Sequence, residues 1–341
     1  MAAIAFAAVR LGASGFRWNL FASVLRGIDP PWTAAALVFI LLTYVGRALR
    51  WRVMMLPLRP DVGLRGLISA TAVGFTAVVF FGRPGEFVRP WLISVRERVP
   101  FSSQLAAWFI ERIFDLLSVV LLFGFALTNI SAGLRMTPRL ESVLHAAGYL
   151  ALSAGAVCVL VLIASAWFSE TARRWCDRLA SLAPKRAAEA ARCSLNSFIS
   201  GMQSTGSGPA MLRISLFTAA EWLIIAAGIY CLFHAFGPTS RFGWNDTLVF
   251  TGFVAFGSAV QLPGIGGGMQ LAAILVLTEL FALPLEAATA CALLVWVATW
   301  LTIVPFGLLF AFTEGLHWSS LRRIKEEADA PAKSGIEGVR Q

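Results

Sequence analysis

Long apolar runs separated by short arginine-bearing gaps dominate the chain. Five runs have the length to cross a bilayer: Trp32–Met54, Ser103–Thr128, Val143–Phe168, Leu212–Phe236 and Ala287–Thr313. Each is close to the ~20 residues that a helical span requires. Two further runs are broken. One proceeds from Leu67 to Phe81, stops at Gly82-Arg83-Pro84-Gly85 and resumes to Val95. The other proceeds from Leu248 to Leu262, stops at PGIGGG and resumes to Leu283. The pattern predicts an all-α polytopic membrane protein with about five to seven spanning helices.

The basic gaps orient these elements. Arg47, Arg50, Arg52, Arg59 and Arg65 follow the first clear span. Arg173, Arg174, Arg178, Lys185, Arg186, Arg192 and Arg213 fill the gap beginning near Thr171, and Arg322, Arg323 and Lys325 mark the tail. Basic loops favour the cytoplasm, so all three belong there, in a cell (plasma or inner) membrane. That orientation closes only if both broken runs are re-entrant helical hairpins. Residues 67–95 then enter from the cytoplasm and 248–283 from the opposite face. The N-terminal run is short for a span, since Arg10 arrives early. It is a half-span, or the stated start lies inside a longer helix.

In the Thr171 gap, Trp175, Leu179 and Leu182, and then Leu195, Phe198, Ile199 and Met202, recur at helical spacing around Pro184. Residues 171–202 read as amphipathic helices on the cytoplasmic surface; an ordinary basic loop is the alternative. Residues 1–323 form a single membrane domain, and the polar segment 324–341 reads as a disordered cytoplasmic tail.

Composition agrees with this class. The chain has 341 residues, 58% hydrophobic and 14% charged, and a net charge of +9. The charge lies in the gaps between spans rather than on a soluble domain, which argues against a nucleic-acid partner. Five dispersed cysteines and three distant histidines give no metal-ligand spacing, so neither metal nor cofactor is expected.

Candidate chemistry lies where charge meets the apolar runs. Arg83, Glu86 and Arg89 surround the Pro84-Gly85 turn, and non-helical backbone at membrane depth is tolerated only inside protein or beside a wet cavity. Gly85 permits the bend. Glu111 and Asp115 share a helix face in the run starting near Ser103, with Arg112 turned by about 100°. Charges at such depth cost on the order of 2.5 kcal/mol or more unless paired or wet. Arg83 and Arg89 are therefore candidate partners for Glu111 and Asp115, and Glu86 for Arg112. The cluster either binds a headgroup or pins the hairpin to the helix. Glu221 is a third intramembrane acid whose partner must come from another helix. In QLPGIGGGMQ, the backbone around Pro263, Gly264, Gly266, Gly267 and Gly268, with Gln270, offers open N–H groups to an anion at a half-helix start; small-residue packing is the alternative. Arg47, Arg50, Trp51 and Arg52 read as interfacial anchors at the end of the first span.

In order, R-x-x-R-W (from Arg47), R-P-G-E-x-x-R (from Arg83), E-R-x-x-D (from Glu111) and a Pro-Gly-Gly hairpin (from Pro263) resemble the lysylphosphatidylglycerol synthase transmembrane family, from about Arg17 to Glu314. The resemblance implies a flippase-like, all-helical domain with re-entrant segments. It carries Arg50, Trp51, Gly85, Glu86, Arg89, Glu111, Arg112, Asp115, Pro263, Gly264, Gly267 and Gly268 as shared residues. Two departures stand out. Gln270 replaces a Glu that often closes the hairpin motif, and a basic residue common in the last span is replaced near Trp296. A neutral Gln cannot pair with a cation, which disfavours an aminoacylated lipid.

These readings converge on a lipid flippase or transporter that moves a phospholipid or polyprenyl-linked lipid between leaflets. Membrane lipids would be its partners, and it would carry no catalytic residue. A membrane-embedded transferase of lipid-linked sugar is one alternative. An accessory subunit of a lipid or glycan synthase is another.

Overall fold

A computed structural model describes residues 17–129, 138–167, 208–258, 261–262 and 266–313. The proposed surface helices at 171–202, the tail at 324–341, the extreme N-terminus, Pro263 and Gly264 lie outside the described residues. Ten α-helices carry the described fold: α1 (Trp18–Arg26), α2 (Pro30–Met55), α3 (Leu64–Phe81), α4 (Val88–Glu97), α5 (Phe101–Thr128), α6 (Pro138–Trp167), α7 (Gly208–Ala235), α8 (Trp244–Gly257), α9 (Gly268–Leu275) and α10 (Leu285–Thr313). A two-residue antiparallel ladder pairs Gln261 with Gly267 and Leu262 with Gly266.

The five uninterrupted runs match α2, α5, α6, α7 and α10 to within a few residues. Among the described residues, α2, α3, α7 and α10 are long and apolar enough to cross a membrane. α5 has 28 residues but carries Glu111, Arg112 and Asp115. Leu150, Leu216, Leu271 and Phe312 are exposed on the outside, while Arg50, Glu111 and Glu221 are buried within. Apolar surface outside and paired charge inside is the arrangement that lipid, as a solvent, selects. The chain is a multi-pass membrane protein.

Local chemistry starts the first span. Asp29 caps α2 by accepting from the Trp32 N–H at 3.2 Å, and Pro30 and Pro31 occupy positions where a helix lacks N–H partners anyway. α7 runs antiparallel along α2. The Asp29 N–H donates to the Ala235 carbonyl at 2.8 Å at one end, and Arg47 meets Glu221 further along.

Both broken runs fold as helical hairpins. The first consists of α3, a 3₁₀ segment (Arg83–Phe87) and α4. Its open ends meet where an Arg59 guanidinium N–H donates to the Glu97 carbonyl at 2.9 Å. The bend itself falls on Gly82, whose φ of 68° favours glycine. Gly85, expected to make the bend, does something else. A Cβ there would stand 2.5 Å from the Ala77 backbone, so its hydrogen permits close approach of the tip to α3. Gly74 does the same further down: a Cβ would stand 2.6 Å from the Cβ of Arg89. The two arms match in length, at about 27 Å for α3 and about 25 Å for the return, from their rises per residue.

The second hairpin consists of α8, the small ladder, α9 and a π-helical turn (Val276–Leu280). Its open ends meet where the rings of Phe242 and Phe281 lie 4.7 Å apart. The two tips touch, with Arg83 Nη2 donating to the Ser258 carbonyl at 3.4 Å.

α5 measures the arrangement. It begins beside the open end of the first hairpin, four residues after Glu97, and runs about 42 Å. It ends beside the open end of the second, where the Asn245 amide donates to the Asn129 carbonyl at 3.0 Å. The hairpins therefore point at each other from opposite ends of the bundle, and their tips meet partway along α5.

Candidate functional site

Where the tips meet, α2, α5 and α7 bring together a buried ionic cluster. Arg50 is its centre and is fully buried. Its Nη1 donates to Asp115 Oδ1 at 2.6 Å and to Thr218 Oγ1 at 3.0 Å; its Nη2 donates to Glu111 and lies 3.4 Å from Glu221. Arg47 reaches Glu221 at 2.7 Å. Arg89 donates to the second oxygen of Glu111. Arg112 approaches Asp115 at 3.3 Å and Glu111 at 3.6 Å. Glu111 thus joins α2, α4 and α5 through two arginines.

Three sequence expectations need correction. Arg47, which reaches buried Glu221, is not an interfacial anchor, and nor are Arg50 and Trp51. Both are fully buried, and Trp51 Nε1 donates to Gln104 Oε1 at 3.0 Å while Arg89 stacks over its ring at 4.0 Å. In that run Arg52 is the exposed arginine, in keeping with an interfacial position. Helix phase explains the split: Arg47 and Arg50 are one turn apart on the face toward α7, and Arg52 is rotated away. The second correction concerns Glu86, which was paired with Arg112. It instead accepts from Arg83 at 2.7 Å and from Trp108 Nε1 at 3.3 Å, because Arg83, expected to reach Glu111 or Asp115, is three residues away on the same 3₁₀ turn. The third concerns the glycine-rich tip. The Gly267 N–H is not open to an anion, since Gln270 Oε1 accepts from it at 2.8 Å. Gln270 caps its own half-helix. Gly268 lies in close backbone approach to Gly257, which favours the small-residue packing reading.

Two pairings stand as expected. Arg89 pairs with Glu111, and the partners of Glu221 come from another helix. Glu111 lies ten residues into α5, about 15 Å along its axis.

Beside the cluster lies a cavity of about 450 Å³. It is half open and is lined by both hairpins, α2, α5, α7 and α10. Among the described residues, Arg47, Arg83, Arg89 and Arg112 line it together with Glu86 and Asp115, while Glu221 and Glu111 pair with Arg47 and Arg89 from behind. Glu111, Glu221 and Arg50 sit behind this wall. Arg89 is 4% exposed, and its Nη1 has no hydrogen-bond partner among the described residues. Burial of a guanidinium N–H without a partner is costly, and this donor is closed off even from the cavity, so an acceptor reaches it only when neighbouring side chains shift. The rest of the wall is aromatic: Phe75, Trp108, Trp222, Phe256, Trp296 and Trp300.

Sequence reasoning missed the aromatic wall and Thr218. The signal for two of these residues is Trp296 and Trp300, four apart and therefore on one face of α10.

The description "Lysylphosphatidylglycerol synthase TM region" matches residues 1–307. The chain belongs to this family. It is also 34% identical over 113 residues to a protein from Haloferax volcanii described as "Glycosyltransferase AglD", covering 32% of this chain and 18% of that protein. The chain thus spans less than a fifth of that relative in the matched region. No solved structure matches the chain.

Proposed function

We propose that the protein moves an anionic lipid headgroup between leaflets of a cell membrane through the cavity between the two hairpin tips. The observation that carries this reading is the cavity wall: Arg47, Arg83, Arg89 and Arg112 line it, in a cluster where five arginines meet four carboxylates, at a depth that only protein can make polar. In such a place a phosphate accepts several charge-assisted hydrogen bonds at once. Acyl or prenyl chains stay in the bilayer, against the exposed apolar faces.

The two hairpins read as re-entrant from opposite faces, with the basic loops and the C-terminus cytoplasmic. Their tips meet beside the cavity, through Arg83 and the Ser258 carbonyl. Arg83 at the tip contact is the residue best placed to sense a phosphate and release Ser258. The residues act by charge compensation and positioning, with no covalent step. The similarity to a glycosyltransferase favours a second reading, in which the domain serves as the membrane partner of a synthase that makes lipid-linked sugar.

Native mass spectrometry of lipids retained by gently purified protein tests the reading. Wild type should hold one phosphate-bearing lipid class, and Arg89→Gln should lose it. A folded wild type that retains no lipid class preferentially would overturn the headgroup site.

A further inference from the structure

We propose that the headgroup is a sugar phosphate, a phosphate ester attached directly to a pyranose ring. The inference rests on the reading above, that the cavity is a headgroup site, and narrows its ligand.

The walls of the cavity differ in chemistry. Arg83, Arg89 and Arg112 supply cationic donors from the first hairpin and α5, and Arg47 from α2. α10 supplies Trp296 and Trp300, with ring centroids 6.4 Å apart and planes inclined by 34°. Both indoles are half-buried and both line the cavity. Trp222 lines it too, and its Nε1 is buried with no partner among the described residues. The cavity therefore offers an anion site, two adjacent indole rings, and carboxylate acceptors in Glu86 and Asp115.

A pyranose phosphate uses all three. Its phosphate meets the arginines. The C–H bonds on one ring face carry partial positive charge and suit the negative face of an indole. Its hydroxyls donate, matching the carboxylates. Other headgroups leave part of the wall unused. A glycerol phosphate has no ring to lie on the indoles. An aminoacyl ester brings a cation to a wall lined by four arginines. The volume of about 450 Å³ suits a phosphate with one ring, within the common range for small-molecule sites of about 300–1,000 Å³.

The test compares four probes on full-length purified protein by competitive native mass spectrometry: polyprenyl phosphoglucose, polyprenyl phosphate, phosphatidylglycerol and glucose 1-phosphate. Wild type should prefer polyprenyl phosphoglucose over polyprenyl phosphate by roughly tenfold. In Trp296→Leu/Trp300→Leu the preference should fall to within about twofold. Retained binding of polyprenyl phosphate shows that this variant is folded. Should it fail to fold, Trp300→Phe and the wild-type ratio decide alone.

Equal wild-type binding of the two polyprenyl lipids, or an unchanged ratio in the variant, overturns the sugar assignment and leaves the headgroup reading intact. Tight binding of glucose 1-phosphate without its lipid keeps the sugar phosphate but places its source in water. If no probe binds and Arg89→Gln changes nothing, the headgroup reading itself fails.

Discussion

Arg50 on α2 and Asp115 on α5 are 65 residues apart in sequence, and their side chains meet at 2.6 Å in the buried centre of the bundle. Around this pair the same guanidinium also serves Glu111, Glu221 and Thr218. One side chain thereby fixes α2, α5 and α7 at the level of the hairpin tips. Removing Arg50 leaves three buried carboxylates short of a partner. Arg50→Met should destabilise the protein by about 3–5 kcal/mol, read as a lowered thermal midpoint in detergent. Arg50→Lys should recover little, since an ammonium cannot reproduce the forked contacts of a guanidinium. A near-native midpoint for Arg50→Met would show that α7 and α5 hold together without it.

Gly85 and Gly74 test whether the first hairpin must close. Each lies where a Cβ would meet the opposite arm at 2.5–2.6 Å. Gly85→Ala should force the tip away from α3 and cost about 1–3 kcal/mol by overpacking. The tip would move off Ser258, so limited proteolysis between residues 82 and 88 should accelerate. Unchanged cleavage would mean that the hairpin tolerates a splayed tip.

Much of this fold was legible in the letters. Each uninterrupted apolar run became a helix, because in lipid the backbone must satisfy its own hydrogen bonds and run length alone then sets the element. The breaks at Gly82 and after Leu262 were equally visible, since Gly and Pro interrupt a helix wherever they cluster. The site was less legible. Arg50 was read as a surface anchor because it sits near a span end with other arginines. Its burial depends on α7 packing alongside α2, a contact from 168 residues away that no local pattern encodes. Trp296 and Trp300 lie within an apolar span, and a cavity wall and a core use the same side chains, so their spacing does not mark them as a wall. Arg89 and Glu111 were paired correctly, since buried opposite charges must find one another.

Gln270 provides a prediction that separates capping from binding. Gln270→Ala removes the acceptor for the Gly267 N–H and should cost about 0.5–2 kcal/mol, seen in thermal unfolding. Lipid preference should stay as in wild type. A changed lipid profile at unaltered stability would return Gln270 to the headgroup site.

Cysteine labelling checks whether the hairpins enter from opposite faces. Arg59 adjoins the open end of the first hairpin and Arg241 that of the second, and both are exposed. In a background with the five native cysteines replaced, Arg59→Cys should react with a membrane-impermeant maleimide only after the cell membrane is opened. Arg241→Cys should react in intact cells. Labelling of both from the same side would rule out opposed entry.

The most direct test of the cavity as a route is headgroup translocation in reconstituted vesicles. Wild type should equilibrate a phosphate-bearing reporter lipid between leaflets faster than protein-free vesicles do. Arg89→Gln/Arg112→Gln, which removes two of the four cationic walls but leaves Glu111 and Asp115 paired with Arg50, should lower that rate by roughly tenfold or more while the protein stays folded. A folded double variant that translocates at the wild-type rate, or a wild type no faster than empty vesicles, would contradict the account.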